Sequence, residues 1–170
     1  ALSSHTLMSI PTVDSATFRE FCARFASGVT ITTVSDAEGT PHGLTASSLT
    51  AVSLNPPMIL VCIDHNSGVL HRFRKSSHFA VNILHSGQEA LSNQFARKAA
   101  ERFAGVAWRA GEGGSPLLED CLAQVECLTH QIVDAGDHAV FFGEVIGARV
   151  NGGEPLLYFN RNYRVLAPLG

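Results

Sequence analysis

The chain has 170 residues, of which 45% are hydrophobic, and these values predict one domain with one substantial core. The formal net charge is −3 and no run of Lys or Arg occurs, which argues against nucleic acid or an anionic membrane as the main partner. No apolar run approaches the roughly 18–20 residues that cross a bilayer, and the first residues lack the features of a signal peptide. The four cysteines form no Cys-x-x-Cys pair and lie among apolar neighbours, as buried free thiols do. A cytoplasmic protein is therefore predicted.

The N-terminal half is predicted to begin with a helix and continue in strands. Residues 1–12 are expected to form a flexible lead-in, and residues 13–170 a single domain. Asp14 or Ser15 can cap a helix that Gly28 ends. The apolar stripe of this helix is Phe18, Phe21, Cys22 and Phe25. The β-branched and apolar segments that follow predict strands at 29–35, 43–54 and 58–64, then a turn at 65–68 and a short helix at 69–76.

The C-terminal half is predicted to be richer in strands. The elements expected there are a strand at 78–84, a helix at 88–103, a loop at 111–116, extended segments at 121–133 and 138–150, and a closing segment at 156–166. Helices do not alternate regularly with strands, which argues against a doubly wound parallel sheet. The fold class predicted is mostly β, a closed antiparallel sheet with peripheral helices.

Several common sites are excluded by their missing motifs. The sequence has no G-x-G-x-x-G between a strand and a helix and no G-x-x-x-x-G-K-[ST] phosphate loop. It also lacks H-E-x-x-H and the G-x-S-x-G elbow of serine hydrolases. His71, His78 and His85 are seven residues apart, but they cross a boundary between a helix and a strand, so no metal site is predicted.

The segment 43–57 is the first candidate for ligand binding. Thr45, Ser47 and Ser48 place three hydroxyls on a short stretch, with Ala46 between them. Small residues allow a flat ligand to approach the backbone, and hydroxyl and N–H groups can bind carbonyl or phosphate oxygens. The alternative is an ordinary strand edge rich in Ser and Thr.

Two further candidates lie in or next to turns. Asn66 and Ser67 precede a predicted helix, where free N–H groups favour a phosphate, although a simple helix cap explains them equally well. His138 begins a strand directly after a turn, so it is expected on a rim. A rim histidine can bind or polarise a redox ligand, or it can be a surface residue without a function.

Taken together, these stretches resemble the flavin reductase-like family, the small reductase components of two-component flavin-dependent monooxygenases such as the 4-hydroxyphenylacetate and phenol hydroxylase reductases. The resemblance covers roughly residues 16–165. The matching stretches, in chain order, are FASGVTI, G-LTASS-T-VSL-PP, LVCIDHNSG, FAVNIL, QEALSNQFA, ERF, GDHAVFFGEV and PLLYFNRNYR. The fold that the resemblance implies is an antiparallel split β-barrel of the FMN-binding type, in a homodimer with flavin near the dimer interface.

The resemblance also implies the roles of individual residues. The residues implied to line the isoalloxazine ring and ribityl chain are Thr45, Ala46, Ser47 and Ser48. Those implied to hold the ribityl or phosphate end are Asp64, Asn66 and Ser67, and those implied to form a wall of the flavin pocket are Phe79, Ala80 and Asn82. Arg102 and Phe103 would contact the flavin phosphate or flank the ring. His138 and Tyr163 would lie on the nicotinamide side, with His138 as the catalytic residue.

The implied activity is that of an NAD(P)H:flavin oxidoreductase. Hydride would pass from NADH to FMN or FAD, and the reduced flavin would reach a separate monooxygenase. Such chemistry belongs to the flavin and needs no protein nucleophile or metal. NADPH is also compatible, with Arg97, Lys98 and Arg109 as candidates for binding its 2′-phosphate. Two alternatives stay open, a non-catalytic flavin-binding electron carrier and a split-barrel enzyme that holds its flavin tightly and reduces another small molecule.

Overall fold

The computed structural model describes residues 12–170, so nearly all of the predicted lead-in at 1–12 lies outside the described residues. Within 12–170 the helices are α1 (Ser15–Ala23), α2 (Leu70–Lys75) and α3 (Glu89–Ala96). The first six strands are β1 (Ser27–Gly28), β2 (Thr30–Ser35), β3 (Pro41–Ala46), β4 (Thr50–Leu54), β5 (Pro57–Asp64) and β6 (His78–Ile83). The remaining strands are β7 (Trp108–Ala110), β8 (Pro116–Leu118), β9 (Ala123–Ala135), β10 (His138–Val150), β11 (Leu157–Phe159) and β12 (Asn162–Arg164).

The predicted antiparallel architecture with peripheral helices is confirmed. Seven strands form the main sheet in the order β3-β2-β6-β9-β10-β5-β4, and β1-β11-β12 and β7-β8 form two small sheets. All of their ladders are antiparallel. Over residues 12–170, the edge strands β3 and β4 each pair on one side only, so hydrogen bonds do not close the sheet. The centre of the sheet is the long β9–β10 hairpin, which places the start of β10 beside the end of β5.

The core consists of two apolar clusters on the main sheet. The first is centred on Phe73, Phe79 and Phe141, whose rings meet edge to face. The second contains Phe95 of α3, which contacts Phe103 with the ring centroids 4.9 Å apart. Burial of these side chains fixes α2 and α3 against the sheet, and both helices carry residues of the candidate site described below.

Helix α1 begins where the sequence predicts but does not bury its apolar stripe. The Asp14 side chain accepts a hydrogen bond from the Thr17 amide at 2.9 Å, so Asp14 is the helix cap. Phe21 and Phe25 are 72% and 80% exposed, and Cys22 is also exposed. The prediction of a buried Cys22 is therefore wrong for the single chain, and the apolar stripe forms an aromatic face on its surface.

Helix α3 is shorter than the predicted helix at 88–103. It ends at Ala96, because Arg97 adopts an extended backbone conformation. The Gln94 side-chain amide donates a hydrogen bond of 2.7 Å to the Arg102 carbonyl and holds the chain that follows. These contacts prevail over the high helix propensity of the sequence after Ala96, and the result is a loop on the surface of the protein.

The cysteines are all free, and two of them, Cys121 and Cys127, are fully buried. Burial raises the pKa of Cys121 to about 11 and that of Cys127 to about 12, so both thiols are protonated at neutral pH. Cys62 is partly buried. In the part of the chain from residue 12 onward, no helix has the length and hydropathy needed to cross a membrane. The cytoplasmic location stays a prediction.

Candidate functional site

The hydroxyls at the end of β3 are joined to neighbouring elements. The Thr45 hydroxyl donates to the Ser92 carbonyl of α3 at 2.6 Å. The Ser48 hydroxyl accepts from the Cys62 amide at 3.0 Å and donates to the Cys62 carbonyl at 3.1 Å, which ties the segment after β3 to β5. Ser48 lines neither of the two cavities described next, and its hydroxyl is committed to β5.

The first cavity has a volume of about 610 Å³ and lies between β3, α3 and the β11–β12 hairpin. It brings together the predicted residues Thr45, Ala46, Ser47 and Tyr163. The remaining lining residues are Val29, Glu89, Ser92, Asn93, Ala96, Tyr158, Arg161, Asn162 and Arg164. Sites of 300–1,000 Å³ are typical of small-molecule ligands, so this cavity can hold a ring system.

A tight hairpin turn positions the tyrosine of this cavity. Asn160 and Arg161 have φ values of 50° and 62°, as the two central residues of a type I′ turn require. The Tyr163 hydroxyl lies 2.7 Å from the Ser92 hydroxyl and donates to the Asn93 side-chain oxygen at 3.2 Å. Tyr163 is therefore held in place through α3 rather than left to rotate at the cavity mouth.

The second cavity also has a volume of about 610 Å³ and lies between β3, α2 and the loop that follows α3. Thr45 and Ala96 line both cavities, so the two adjoin at these residues. The predicted residues gathered in the second cavity are Thr45, Asp64, Asn66, Ser67 and Arg102. The other lining residues are His42, Leu44, Gly68, Val69, Arg72, Phe95, Ala96, Lys98, Ala99 and Ala100.

The turn after β5 shapes one wall of the second cavity. The Asp64 side chain accepts from the Asn66 amide at 2.7 Å, and the Asp64 carbonyl accepts from the Ser67 amide at 2.9 Å. The cap position of α2 is Val69, and no side chain caps this helix. The alternative of Asn66 or Ser67 as a simple helix cap is therefore wrong, and the turn presents both residues to the cavity.

Basic side chains dominate the charge of the second cavity. Arg72, Lys98 and Arg102 line it together, against the single carboxylate of Asp64. The Arg102 guanidinium donates at 2.7 Å to the carbonyls of both Arg97 and Gly43, and its partial burial lowers its pKa. A concave surface with three cations favours an anionic group such as a phosphate.

His138 lies at the rim of the sheet, as predicted, and outside both cavities. It starts β10 opposite Asp64 of β5, and its side chain is 42% exposed. The His138 Nδ1 atom is 2.7 Å from the Asp137 carboxylate, and this contact lowers the pKa of Asp137. Because Tyr163 lines the first cavity, a single chain does not bring together the two residues predicted on the nicotinamide side.

Three residues of the predicted pocket wall lie in the core. Phe79, Ala80 and Asn82 on the central strand β6 are 1%, 0% and 0% exposed. The Asn82 side chain donates to the Ile31 carbonyl and accepts from the Leu118 amide, so it joins core strands to each other. Their assignment to a pocket wall is corrected, because a central strand covered on both faces offers no surface to a ligand.

Phe103 and Arg102 are neighbours in the chain, but their side chains have different surroundings. Its ring packs against Phe95 and, with centroids 6.1 Å apart, against Trp108. Phe103 therefore belongs to the second core cluster and lines neither cavity, whereas Arg102 lines the second. Neighbours in the ERF motif thus point into different surroundings.

Sequence reasoning missed two basic residues of the second cavity. Arg72 lies in the basic segment 71–75, where the sequence does not show which side chain faces a cavity, and His42 lies two residues before the candidate stretch. Of the three residues considered for a 2′-phosphate, Lys98 lines the second cavity, while Arg97 and Arg109 line other depressions of the surface.

The sequence and the fold are those of a known family. A family model described as "Flavin reductase like domain" matches residues 22–167, and the chain belongs to this family. In Acinetobacter baylyi, the reductase component of a flavin-dependent trigonelline monooxygenase is 41% identical over 85% of this chain and 47% of its own length. A flavin reductase (NADH) of Kitasatospora aureofaciens is 39% identical over 89% of this chain and 81% of its own length.

A solved structure of a flavin oxidoreductase has the same fold as this chain. The NADH:FAD oxidoreductase of Streptomyces globisporus, in complex with NAD and FAD fragments, superimposes with a TM-score of 0.86 at 35% identity. The match covers 94% of this chain and 98% of that chain. The chain spans about half the length of two curated relatives that it matches, the Acinetobacter baylyi protein and a Rhizobium meliloti flavin reductase.

Proposed function

We propose that the protein is an NAD(P)H:flavin oxidoreductase that transfers hydride from NADH to FMN or FAD and supplies reduced flavin to a separate monooxygenase. The observation that carries the proposal is the second cavity. It gathers Thr45, Asp64, Asn66, Ser67 and Arg102 from separate segments of the chain, in a member of the flavin reductase-like family.

The donor set of the two cavities fits a phosphorylated flavin. The cations of Arg72, Lys98 and Arg102 can neutralise a phosphate, which is the anionic end of FMN and part of the diphosphate of FAD. Small side chains at Thr45 and Ala46 leave space for a flat ring where the cavities adjoin. We therefore place the ring against Thr45 and Ala46 and the phosphate in the second cavity.

The first cavity is proposed for the nicotinamide. Tyr163, fixed through Ser92 and Asn93, can position this ring against the exposed side of the flavin. The flavin, when bound, supplies the two-electron chemistry, so the residues of the chain bind and orient. His138 lies outside this cavity, so the histidine proposed to donate a hydrogen bond to the nicotinamide carboxamide is His138 of a second copy in the homodimer proposed below. Its Nδ1 contacts Asp137, and its Nε2 makes no hydrogen bond within residues 12–170 and can reach a ligand.

The relatives support the choice of substrates and partner. The Kitasatospora aureofaciens protein is named for NADH, and a relative in Lentzea aerocolonigenes is a flavin reductase (NADPH). The Acinetobacter baylyi relative is the reductase component of a monooxygenase. A flavin-dependent oxygenase is accordingly the proposed recipient of the reduced flavin.

A homodimer with the split-barrel fold is also proposed. Most apolar side chains of strand β6 are buried within the chain, so they give no reason for dimerisation. The support comes from α1 and the residues directly after it, where Phe18, Phe21 and Phe25 are all more than half exposed. A second copy would cover this aromatic face. Light scattering at micromolar concentration tests the proposal, and the mass of a monomer would overturn it.

The test of the proposed activity is steady-state oxidation of NADH and NADPH with riboflavin, FMN or FAD added. We expect the rate to rise with added flavin until it saturates. Full activity without added flavin, or flavin retained through dialysis, would favour an enzyme with a fixed flavin. Flavin binding without NADH or NADPH oxidation would favour an electron carrier.

A further inference from the structure

Asp36 is the centre of an ion cluster behind the second cavity. It follows β2, and its Oδ1 accepts from the amides of Glu38 and Thr40 at 3.1 and 2.9 Å. Its Oδ2 accepts from His42 Nε2 at 2.9 Å and from Arg72 Nη1 at 2.8 Å. The side chain is only 14% exposed. Four donors thus fix one carboxylate in a single orientation, and the pKa of Asp36 falls to about 2, mainly through the hydrogen bond from His42.

The two side chains held by Asp36 both line the second cavity, although Asp36 does not. His42 comes from β3 and is 17% exposed, and Arg72 comes from α2 and is 33% exposed. Asp36 therefore connects two walls of the cavity, one from the sheet and one from a helix. The other charged groups that line this cavity are Asp64, Lys98 and Arg102.

We propose that Asp36 is a positioning residue for the flavin phosphate, because it holds Arg72 and His42 at the cavity wall in the orientation that binds an anion. The inference rests on the proposed function and adds a residue that does not itself touch the ligand. An arginine already fixed by a carboxylate loses less conformational freedom when it binds a phosphate than a free one does.

The direction of the change in FMN affinity distinguishes a positioning role of Asp36 from a simple effect of its negative charge. Removing the negative charge of Asp36 would by itself make the cavity more positive and strengthen phosphate binding. Loss of the fixed orientation of Arg72 and His42 would instead weaken phosphate binding. A variant that keeps the shape of the side chain, Asp36→Asn, therefore distinguishes the two, because its amide oxygen can still accept the turn hydrogen bonds.

The chain offers a matched control in Asp134. Its Oδ1 accepts from His65 Nε2 at 2.9 Å and from Arg74, so the cluster has the same three residue types. Asp134 is 60% exposed, and none of the three residues lines either cavity. Asp134→Asn therefore breaks a cluster of the same residue types whose side chains line neither cavity.

The experiment measures dissociation constants for FMN and riboflavin by flavin fluorescence, without NADH, in the wild type and the two variants. Riboflavin lacks the phosphate and reports that the site is folded. We expect Asp36→Asn to weaken FMN binding about five- to tenfold and to change riboflavin binding by less than twofold. Asp134→Asn should change neither by more than twofold.

A further variant tests whether Asp36 affects FMN binding through Arg72. Arg72→Gln should weaken FMN binding, and adding Asp36→Asn to it should weaken binding by less than twofold more. FMN binding that is unchanged or tighter in Asp36→Asn would overturn the inference, as would an equal loss for FMN and riboflavin. If the wild type binds FMN and riboflavin equally, flavin binding stands and the inference fails. If it binds neither, the proposed function fails as well.

Discussion

The two cavities that adjoin at Thr45 and Ala96 have the same volume but differ in the basic side chains that line them. In the first, wall residues bond to other residues of the chain, as Tyr163 does to Ser92, and Arg161 is paired with Glu20 at 2.8 Å. In the second, Arg72, Lys98 and Arg102 face the single lining carboxylate of Asp64, and Asp36 holds Arg72 from behind the cavity wall. The two cavities therefore suit different parts of a ligand. The first offers a preformed place for a ring, and the second offers an excess of positive charge for an anion.

The largest predicted effect concerns the residue outside both cavities. His138→Ala should fold normally and bind flavin as the wild type does, because His138 lines neither cavity. Loss of a contact that orients the nicotinamide commonly costs about 1.4–3 kcal/mol, which is roughly 10- to 100-fold in rate. The measurement is NADH-dependent turnover at saturating flavin. A rate within twofold of the wild type would show that His138 is a surface residue without a role in turnover.

The charge of the second cavity is tested by Lys98→Gln. Removing one of its three cations should weaken FMN binding about three- to tenfold and leave riboflavin binding unchanged, because only FMN carries the phosphate. The other lysine of the chain, Lys75, lines neither cavity, so Lys75→Gln is the control. Equal effects of the two substitutions on FMN binding would mean that general surface charge, and not this cavity, attracts the flavin.

A smaller effect is expected in the first cavity. Tyr163→Phe removes the hydroxyl that contacts Ser92 at 2.7 Å and Asn93 at 3.2 Å but keeps the ring. Loss of one such hydrogen bond is worth about 1 kcal/mol. The KM for NADH should rise about two- to fivefold, while the dissociation constants of FMN and riboflavin stay constant. A change in flavin affinity without a change in KM would reverse the roles assigned to the two cavities.

The smallest effect is expected in the stability of the fold in acid. The pKa of Asp36 is lowered from 3.8 to about 2 in the folded state. A carboxyl group whose pKa is lower in the folded than in the unfolded state stabilises the fold above the unfolded value, and this contribution is lost as the pH falls from about 4 to 2. Urea unfolding of the wild type and Asp36→Asn should show a difference in stability at pH 7 that shrinks toward pH 2. A difference independent of pH would contradict the role of this ionised carboxylate.

The sequence predicts the type of most elements because their patterns are local. The Asp14 cap and the alternation of strands and turns are set by near neighbours, and these predictions are confirmed. The end of α3 is different, because Gln94 and Arg102 make contacts with the following loop and with Gly43 that no helix propensity contains. Helix length there depends on tertiary contacts.

The site was predictable only in part, for a related reason. Family motifs predict Phe79 and Asn82 as wall residues, but they do not show that β6 is a central strand covered on both faces. Contacts between distant residues, such as Arg72 with Asp36, leave no spacing pattern in the sequence. The sequence alone therefore does not show that these cations line the same cavity.

We propose the flavin ring at Thr45 and Ala46, where the two cavities adjoin, the phosphate in the second cavity and the nicotinamide in the first. A crystal structure of the protein with FMN tests this most directly. We predict the phosphate within hydrogen-bond distance of at least one of Arg72, Lys98 and Arg102, and the ring in contact with Thr45 or Ala46. FMN bound outside both cavities, or with its phosphate away from all three basic side chains, would contradict the account.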